Sequence, residues 1–208
     1  MEKVFKTGTT IVGIVAKDGV VLASDKRATE YFIIASKSAQ KIYQITDKIA
    51  LAAAGVVADL QVLAKVLKAE LTLKQLRSGK EPTAKEAANL LATILYSKRF
   101  YFTSYMVALI VAGKDNGSWN LYVLDPIGSV IEEKKYYAEG SGMMFALGVL
   151  EANYKENLTL EEAKELAKKA VYAAIKRDAG SGDGIEIVSI SDKGVEREYI
   201  PIKEIIET

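Results

Sequence analysis

The sequence predicts an α+β fold: two largely antiparallel sheets stacked face to face, each with a pair of helices on its outer side. Three observations predict it. Apolar periodicity runs in the order strands, two helices, strands, two helices, strands. Successive strands are separated by turn signals such as Asp18-Gly19, Asn116-Gly117 and Asp192-Lys193-Gly194, not by helical crossovers, which argues against a doubly wound parallel sheet. The helices carry apolar stripes that need a sheet face to cover them.

Taken in order, residues 9–15 read as a strand and Val20 to Ser24 as its hairpin return, ending in the polar cluster Ser24-Asp25-Lys26-Arg27-Ala28-Thr29. Short strand-like segments follow at Phe32–Ala35 and Lys41–Ile45, then an apolar strand from Ile49 to Ala54 that stops at Gly55. From about Val57 to Leu76 the apolar residues Leu60, Val62, Leu63, Val66, Leu67 and Leu71 recur at helical spacing, and Gly79 supplies a stop. Thr83 with Glu86 forms a capping box for a second helix running to about Arg99. Strand patterns return after Phe102, at Tyr105–Ala112, Trp119–Leu124 and Ser129–Ala138. Gly140 and Gly142 open a third helix, Met143 to Tyr154, and Thr159 with Glu161 and Glu162 starts a fourth ending near Lys176. Gly184–Ile190 and Val195–Ile200 close the chain as a hairpin. No repeat, linker or low-complexity segment divides the 208 residues, so one domain is expected.

Composition narrows the chemistry. Formal net charge is +1 and no basic block is present, which argues against a surface that binds nucleic acid by neutralising phosphates. No apolar run approaches the roughly 18 residues of a membrane helix, so no membrane association is expected. No apolar h-region follows the two N-terminal lysines, so no secretory signal is expected either. The chain has no cysteine and no histidine. Disulfides, thiolate sites and thiol chemistry are therefore excluded, no transition-metal site is expected, and an oxygen-ligand cation site stays open. Ser-His and Cys-His nucleophile arrangements are also excluded. A hydrolase built from this chain must activate a hydroxyl in another way, and a threonine freed at an N-terminus carries its own amine.

Four places can bear chemistry, and each has a plain structural alternative. Gly8-Thr9-Thr10 precedes the first strand and could be no more than its start. Asp25 ends the second strand and Lys41 begins a short one; together they could be a surface ion pair worth under about 1 kcal/mol. The loop Arg177-Asp178-Ala179-Gly180-Ser181-Gly182-Asp183-Gly184 could be a helix stop and a turn. Gly140-Ser141-Gly142 could be a helix start.

Taken together, these residues resemble the proteasome β subunits, members of the N-terminal-nucleophile hydrolases. The matching stretches are Gly8-Thr9-Thr10, Leu22 to Thr29, Lys41-Ile42, Ala54-Gly55, Gly140-Ser141-Gly142, Arg177-Asp178 and Ser181-Gly182. The resemblance covers the chain from Thr9 to about Pro201. It implies a four-layer αββα sandwich, in agreement with the element order, and a threonine endopeptidase that uses no cofactor and no metal.

Site roles follow from the resemblance residue by residue. Residues 1–8 would be a propeptide removed by cleavage between Gly8 and Thr9, leaving 9–208 as the peptidase domain. Thr9 would be the nucleophile and its α-amine the base. A free α-amine titrates near about 7.7–8.0, against about 10.4 for an unperturbed lysine, and so suits base catalysis near neutrality. Lys41 would be a fixed cation beside Thr9, oriented by Asp25. The Gly55 N–H would form the oxyanion hole, and Ser141, Asp178 and Ser181 would orient the amine and a water. A glycine at position 8 would suit a tight, strained turn at the cleavage junction. Ala28, Ala39, Ala53 and Val57 would line a roomy apolar pocket, with extended substrate pairing near Thr29 and Gly55.

The resemblance also implies seven-membered rings of β subunits stacked between rings of α subunits. A separate AAA ATPase would feed unfolded polypeptide into this cytoplasmic particle. Competing readings are the related two-ring bacterial peptidase, a non-catalytic β subunit, and an unrelated binding module. The bacterial chains are usually shorter and carry almost no propeptide. None of the expected catalytic positions is substituted, and no basic patch or phosphate loop supports a binding module.

Overall fold

The structure, a computed structural model, describes residues 8–98 and 105–202. The expected helix end at Arg99, the return of strand pattern after Phe102, and segment 1–7 lie outside the described residues. The chain builds strands β1 (Thr10–Ala16), β2 (Gly19–Asp25), β3 (Ala28–Glu30), β4 (Ile33–Ser36), β5 (Ile42–Gln44) and β6 (Ile49–Gly55), then helices α1 (Val57–Ser78) and α2 (Ala84–Lys98). Strands β7 (Val107–Asp115), β8 (Ser118–Leu124), β9 (Val130–Glu133) and β10 (Tyr136–Gly140) follow. Helices α3 (Met143–Asn153) and α4 (Leu160–Ile175) lead to β11 (Ile185–Ser191) and β12 (Gly194–Ile200).

Two five-stranded sheets result, in the orders β10-β1-β2-β11-β12 and β5-β6-β7-β8-β9, with every pairing antiparallel. Three buried apolar layers hold four layers of structure together. Ile11, Leu22 and Val188 meet Ile42, Ala52 and Ile110 between the sheets. Leu63, Leu67 and Leu91 of α1 and α2 cover the second sheet. Leu150, Leu166 and Val171 of α3 and α4 cover the first. The fold is the αββα sandwich the element order predicts.

Helix ends follow their local chemistry. Gly79 closes α1 in the left-handed region (φ 67°), its N–H donating to Gln75 O. Thr83 and Glu86 exchange N–H bonds at the start of α2, as do Thr159 and Glu162 at α4.

Three strand readings differ from the sequence expectation. Ser129–Ala138 is two strands in different sheets: β9 pairs with β8, and β10 pairs with β1. The crossing falls at Lys134-Lys135, where Val15 N–H donates to Lys135 O at 2.8 Å, and no glycine or proline marks it. The polar cluster after β2 contains β3, which pairs with β4 as a small separate hairpin. Finally, the β1–β2 turn is Lys17-Asp18, because Gly19 already pairs with Ala16. Gly19 is a glycine for want of space: a Cβ there would meet the Ile190 carbonyl of β11. Asn116-Gly117, by contrast, is the expected two-residue turn, with φ 24° and 104°.

The topology gathers one edge of the molecule. The start of β1 faces the end of β10 (Thr10 opposite Gly140), and the end of β2 faces the start of β11 (Asp25 opposite Ile185). Lys41 comes from the residue just before β5 of the other sheet, and the loop between α4 and β11 closes over the same edge.

Candidate active site

The N-terminal junction is buried, with Thr9 only 5% exposed. The Thr9 hydroxyl donates to the carbonyl oxygen of the preceding residue, Gly8, at 2.6 Å. Lys41 Nζ reaches the same oxygen at 3.4 Å. Gly8 N–H donates to Thr29 Oγ1 at 2.8 Å, which sets Gly8 beside β3. A side chain at position 8 would collide with the backbone of Gly180. Close approach between two chain segments is therefore what requires glycine at the junction.

Lys41 and Asp25 form a fully enclosed ion pair, Nζ to Oδ1 at 2.6 Å, and the surface-pair alternative is excluded by burial of both side chains. Asp25 fills its four acceptor positions. Oδ1 takes Lys41 Nζ and the Thr10 N–H (2.9 Å), and Oδ2 takes the N–H groups of Arg27 and Gly182 (both 3.0 Å). Such satisfaction is what a buried carboxylate needs. Burial disfavours the Lys41 cation and lowers its pKa from the usual lysine value, while the charge and hydrogen bond of Asp25 act the other way.

A second carboxylate sits across Thr9. Asp178 Oδ2 accepts from the hydroxyls of Ser141 and Ser181, each at 2.6 Å, and Asp178 Oδ1 accepts the Gly180 N–H at 3.1 Å. Ser141 Oγ in turn accepts the Thr9 N–H at 3.1 Å. The glycine loop is thus more than a helix stop, because its carboxylate and serine are wired to the first strand. Among the described residues no group of three or more acidic side chains is arranged to hold a metal ion.

Thr9, Asp25, Lys41, Ser141, Asp178 and Ser181 are therefore brought together. Gly55 stands at the end of β6 with φ 131°, opposite Val107, where a Cβ would strike the Met106 carbonyl. Two residues before it, Ala53 N–H donates to the Lys41 carbonyl at 2.9 Å. Of the residues expected to line a pocket, Ala53 is wholly buried beneath α1 and α2 and Val57 is 45% exposed. Ala28 and Ala39 are half-buried, and Ala39 N–H donates to Lys26 O at 2.9 Å.

Sequence reasoning assigned no part to Arg27. Its Nε donates to Asp183 Oδ2 (2.7 Å) and its Nη1 to Ala179 O (3.1 Å), and its guanidinium lies where a Gly182 side chain would be. Arg27 thereby pins the loop that carries Asp178 and Ser181. Its place two residues after Asp25 was the available signal.

A four-layer αββα sandwich whose first strand begins at such a junction has the architecture of the N-terminal-nucleophile hydrolases. The proteasome subunit family profile matches residues 5–190. A proteasome subunit beta of Ferroglobus placidus is 49% identical over 201 residues, covering 97% of this chain and 92% of the relative. One from Nanoarchaeum equitans is 51% identical over 193 residues, covering 92% and 97%, and a proteasome subunit beta 2 of Aeropyrum pernix is 43% identical over 205 residues, covering 99% and 92%. The chain belongs to the proteasome subunit family.

Proposed function

We propose that this chain is a threonine endopeptidase of the 20S proteasome core, made as a precursor that removes its own residues 1–8 and leaves 9–208 as a single peptidase domain. The observation that carries the reading is the Thr9 hydroxyl beside the Gly8 carbonyl, with Lys41 on the same oxygen. In self-cleavage Thr9 Oγ1 attacks the Gly8 carbonyl carbon. Negative charge gathers on an oxygen that faces the Lys41 cation. The Gly8–Thr9 C–N bond breaks as the proton lost from Oγ1 is delivered to the departing nitrogen, leaving Gly8 as an ester on Oγ1 and Thr9 with a free amine. Water then hydrolyses the ester and releases segment 1–8 with a new carboxylate.

The freed amine is what makes the enzyme. While acylated it is an amide and cannot act as a base; once free it takes the Thr9 hydroxyl proton as Oγ1 attacks a substrate carbonyl, and passes it to the leaving amine. Lys41, held by Asp25, favours the neutral amine and the attacking oxygen. Ser141, Asp178 and Ser181 orient the amine and the water that later cleaves the acyl-enzyme. The Gly55 N–H receives the oxyanion. Ala28, Ala39, Ala53 and Val57 shape the pocket for the residue before the scissile bond, and extended substrate pairs near Thr29.

The working particle is a stack of seven-membered rings in the cytoplasm, β rings between α rings, supplied with unfolded polypeptide by an AAA ATPase. Exposed apolar residues support burial against other subunits. Val62, Val66, Leu73 and Leu76 recur along the outer face of α1 at the spacing of a helix-packing seam, and Phe32 stands fully exposed at the β3–β4 tip.

Thr9→Ala, assembled with α subunits, tests the reading. The variant should keep Met1–Gly8 and lose hydrolysis by on the order of 10³-fold or more. Loss of segment 1–8 from that variant with no protease present would sink the self-cleavage mechanism.

A further inference from the structure

Thr10 has no role in the account above, yet it touches both carboxylate systems. It is wholly buried. Its N–H donates to Asp25 Oδ1, the oxygen that also holds Lys41, and its Oγ1 lies 2.7 Å from Ser181 Oγ. Gly142 leaves the room: a Cβ there would occupy the place of the Thr10 hydroxyl.

Counting protons gives these bonds a direction. Ser181 has one hydroxyl proton and gives it to Asp178 Oδ2, which as a carboxylate oxygen only accepts. Ser181 must then accept from Thr10. Ser141 likewise gives its proton to Asp178 and accepts from the Thr9 nitrogen. Two chains of donors, one from Thr10 and one from Thr9, end on the same carboxylate oxygen.

We propose that Thr10 is a positioning residue for Thr9. Its hydroxyl sets the orientation and charge of the Ser181–Asp178–Ser141 chain, and its N–H fixes the Asp25–Lys41 pair. The proposal rests on the reading of Thr9 as the nucleophile. Removing the hydroxyl takes one donor from Ser181 and weakens what Ser181 gives to Asp178. The negative potential reaching the Thr9 amine through Ser141 rises, and the amine holds its proton more tightly. The other charged groups facing this edge are Lys41 and Asp25 from the strand ends, and Glu139 at the Gly140 N–H. Lys26 and Arg27 are engaged by Glu186 and Asp183.

The test uses the assembled, processed particle and a fluorogenic peptide. Thr10→Val keeps the shape and the N–H but loses the hydroxyl; Thr10→Ser keeps the hydroxyl. Thr10→Val should lower kcat about tenfold with KM within about twofold, and move the acid limb of kcat/KM to higher pH. Thr10→Ser should restore both. Combined with Ser181→Ala, Thr10→Val should add nothing further, since the partner of its hydroxyl is already gone. If Thr10→Val fails to assemble, Ser181→Ala alone should shift the acid limb the same way, and an unmoved limb overturns the proposal. Wild-type behaviour in Thr10→Val, or equal losses in both Thr10 variants with no shift of the limb, also overturns it while leaving the Thr9 reading intact. A wild-type particle that keeps residues 1–8 and hydrolyses nothing overturns both.

Discussion

Thr9 points its hydroxyl at the carbonyl oxygen of its own predecessor, Gly8, at 2.6 Å, inside a junction closed to solvent. On the proposed reading, the nucleophile and the first bond it would break are therefore neighbours before any substrate arrives. Lys41 at 3.4 Å from that oxygen supplies the only cation placed on it among the described residues.

Lys41 should write itself into the alkaline side of the pH profile. Burial lowers its pKa, with Asp25 opposing, so the cation is lost at a lower pH than the roughly 10.4 of a free lysine. Hydrolysis should fall on an alkaline limb below that value, and Asp25→Asn, which removes the influence that raises it, should move the limb lower still. The sign for stability follows: the unfolded chain holds this proton more tightly, so stability contributed at this site rises as pH climbs from the folded value to the unfolded one. Asp25→Asn should also cost about 3–5 kcal/mol by leaving a buried cation unpaired. Denaturant unfolding and a pH series read both effects.

Gly142→Ala tests the space around Thr10. Gly142 has φ −90° and ψ 4°, which alanine tolerates, so any cost comes from the methyl pressing on Thr10 Oγ1, on the Ala174 methyl at 2.8 Å and on Asp178 Oδ2 at 3.2 Å. A stability loss of about 1–3 kcal/mol is expected. Hydrolysis should slow far more than that loss explains, by up to about 10²-fold, through displacement of Thr9's supports.

Ala53→Met tests the pocket. Ala53 is fully enclosed among Leu60, Leu63 and Val107, so a longer side chain must either overpack that core or turn outward. On the proposed reading it turns outward and shifts the preference before the scissile bond from bulky toward small residues. A panel of peptides differing only there reads the shift, and an unchanged preference removes Ala53 from the pocket.

Asp115→Ala serves as the structural contrast. Asp115 ends β7 far along the strand from Val107, and its carboxylate accepts from Lys85 N–H (2.8 Å), Asn120 Nδ2 (2.9 Å) and Tyr122 OH (2.6 Å). Burial and the neighbouring carboxylate raise the Tyr122 pKa, so its hydroxyl remains a donor. Losing this anchor should cost about 2–4 kcal/mol, because two buried donors, on Asn120 and Tyr122, and the part-buried Lys85 N–H lose their partner. Self-cleavage of the folded fraction should be unchanged.

The layers of the fold were legible because period and turn chemistry agree at most elements: Leu60, Leu63 and Leu67 at helical spacing, Asn116-Gly117 between alternating strands, capping boxes at Thr83 and Thr159. The break at Lys134-Lys135 was not, since both halves keep strand character and the change is one of sheet, set by which neighbour each half meets. β3 was hidden for a similar reason; three polar-flanked residues pair only because Ile33 and Ile34 fold back on them. Thr9, Asp25, Lys41 and the glycine loop could be singled out as residues, but burial of the Lys41–Asp25 pair and the approach of the Thr10 and Ser181 hydroxyls are three-dimensional facts. Arg27 has no role legible in the sequence, because its hold on the loop depends on the space that Gly182 leaves for its guanidinium.

The most direct measurement is the intact mass and N-terminal sequence of the wild-type chain isolated from the assembled particle. A chain beginning at Thr9 is the predicted result. A chain still beginning at Met1 in a fully assembled particle would contradict the account and leave a latent or structural subunit in its place.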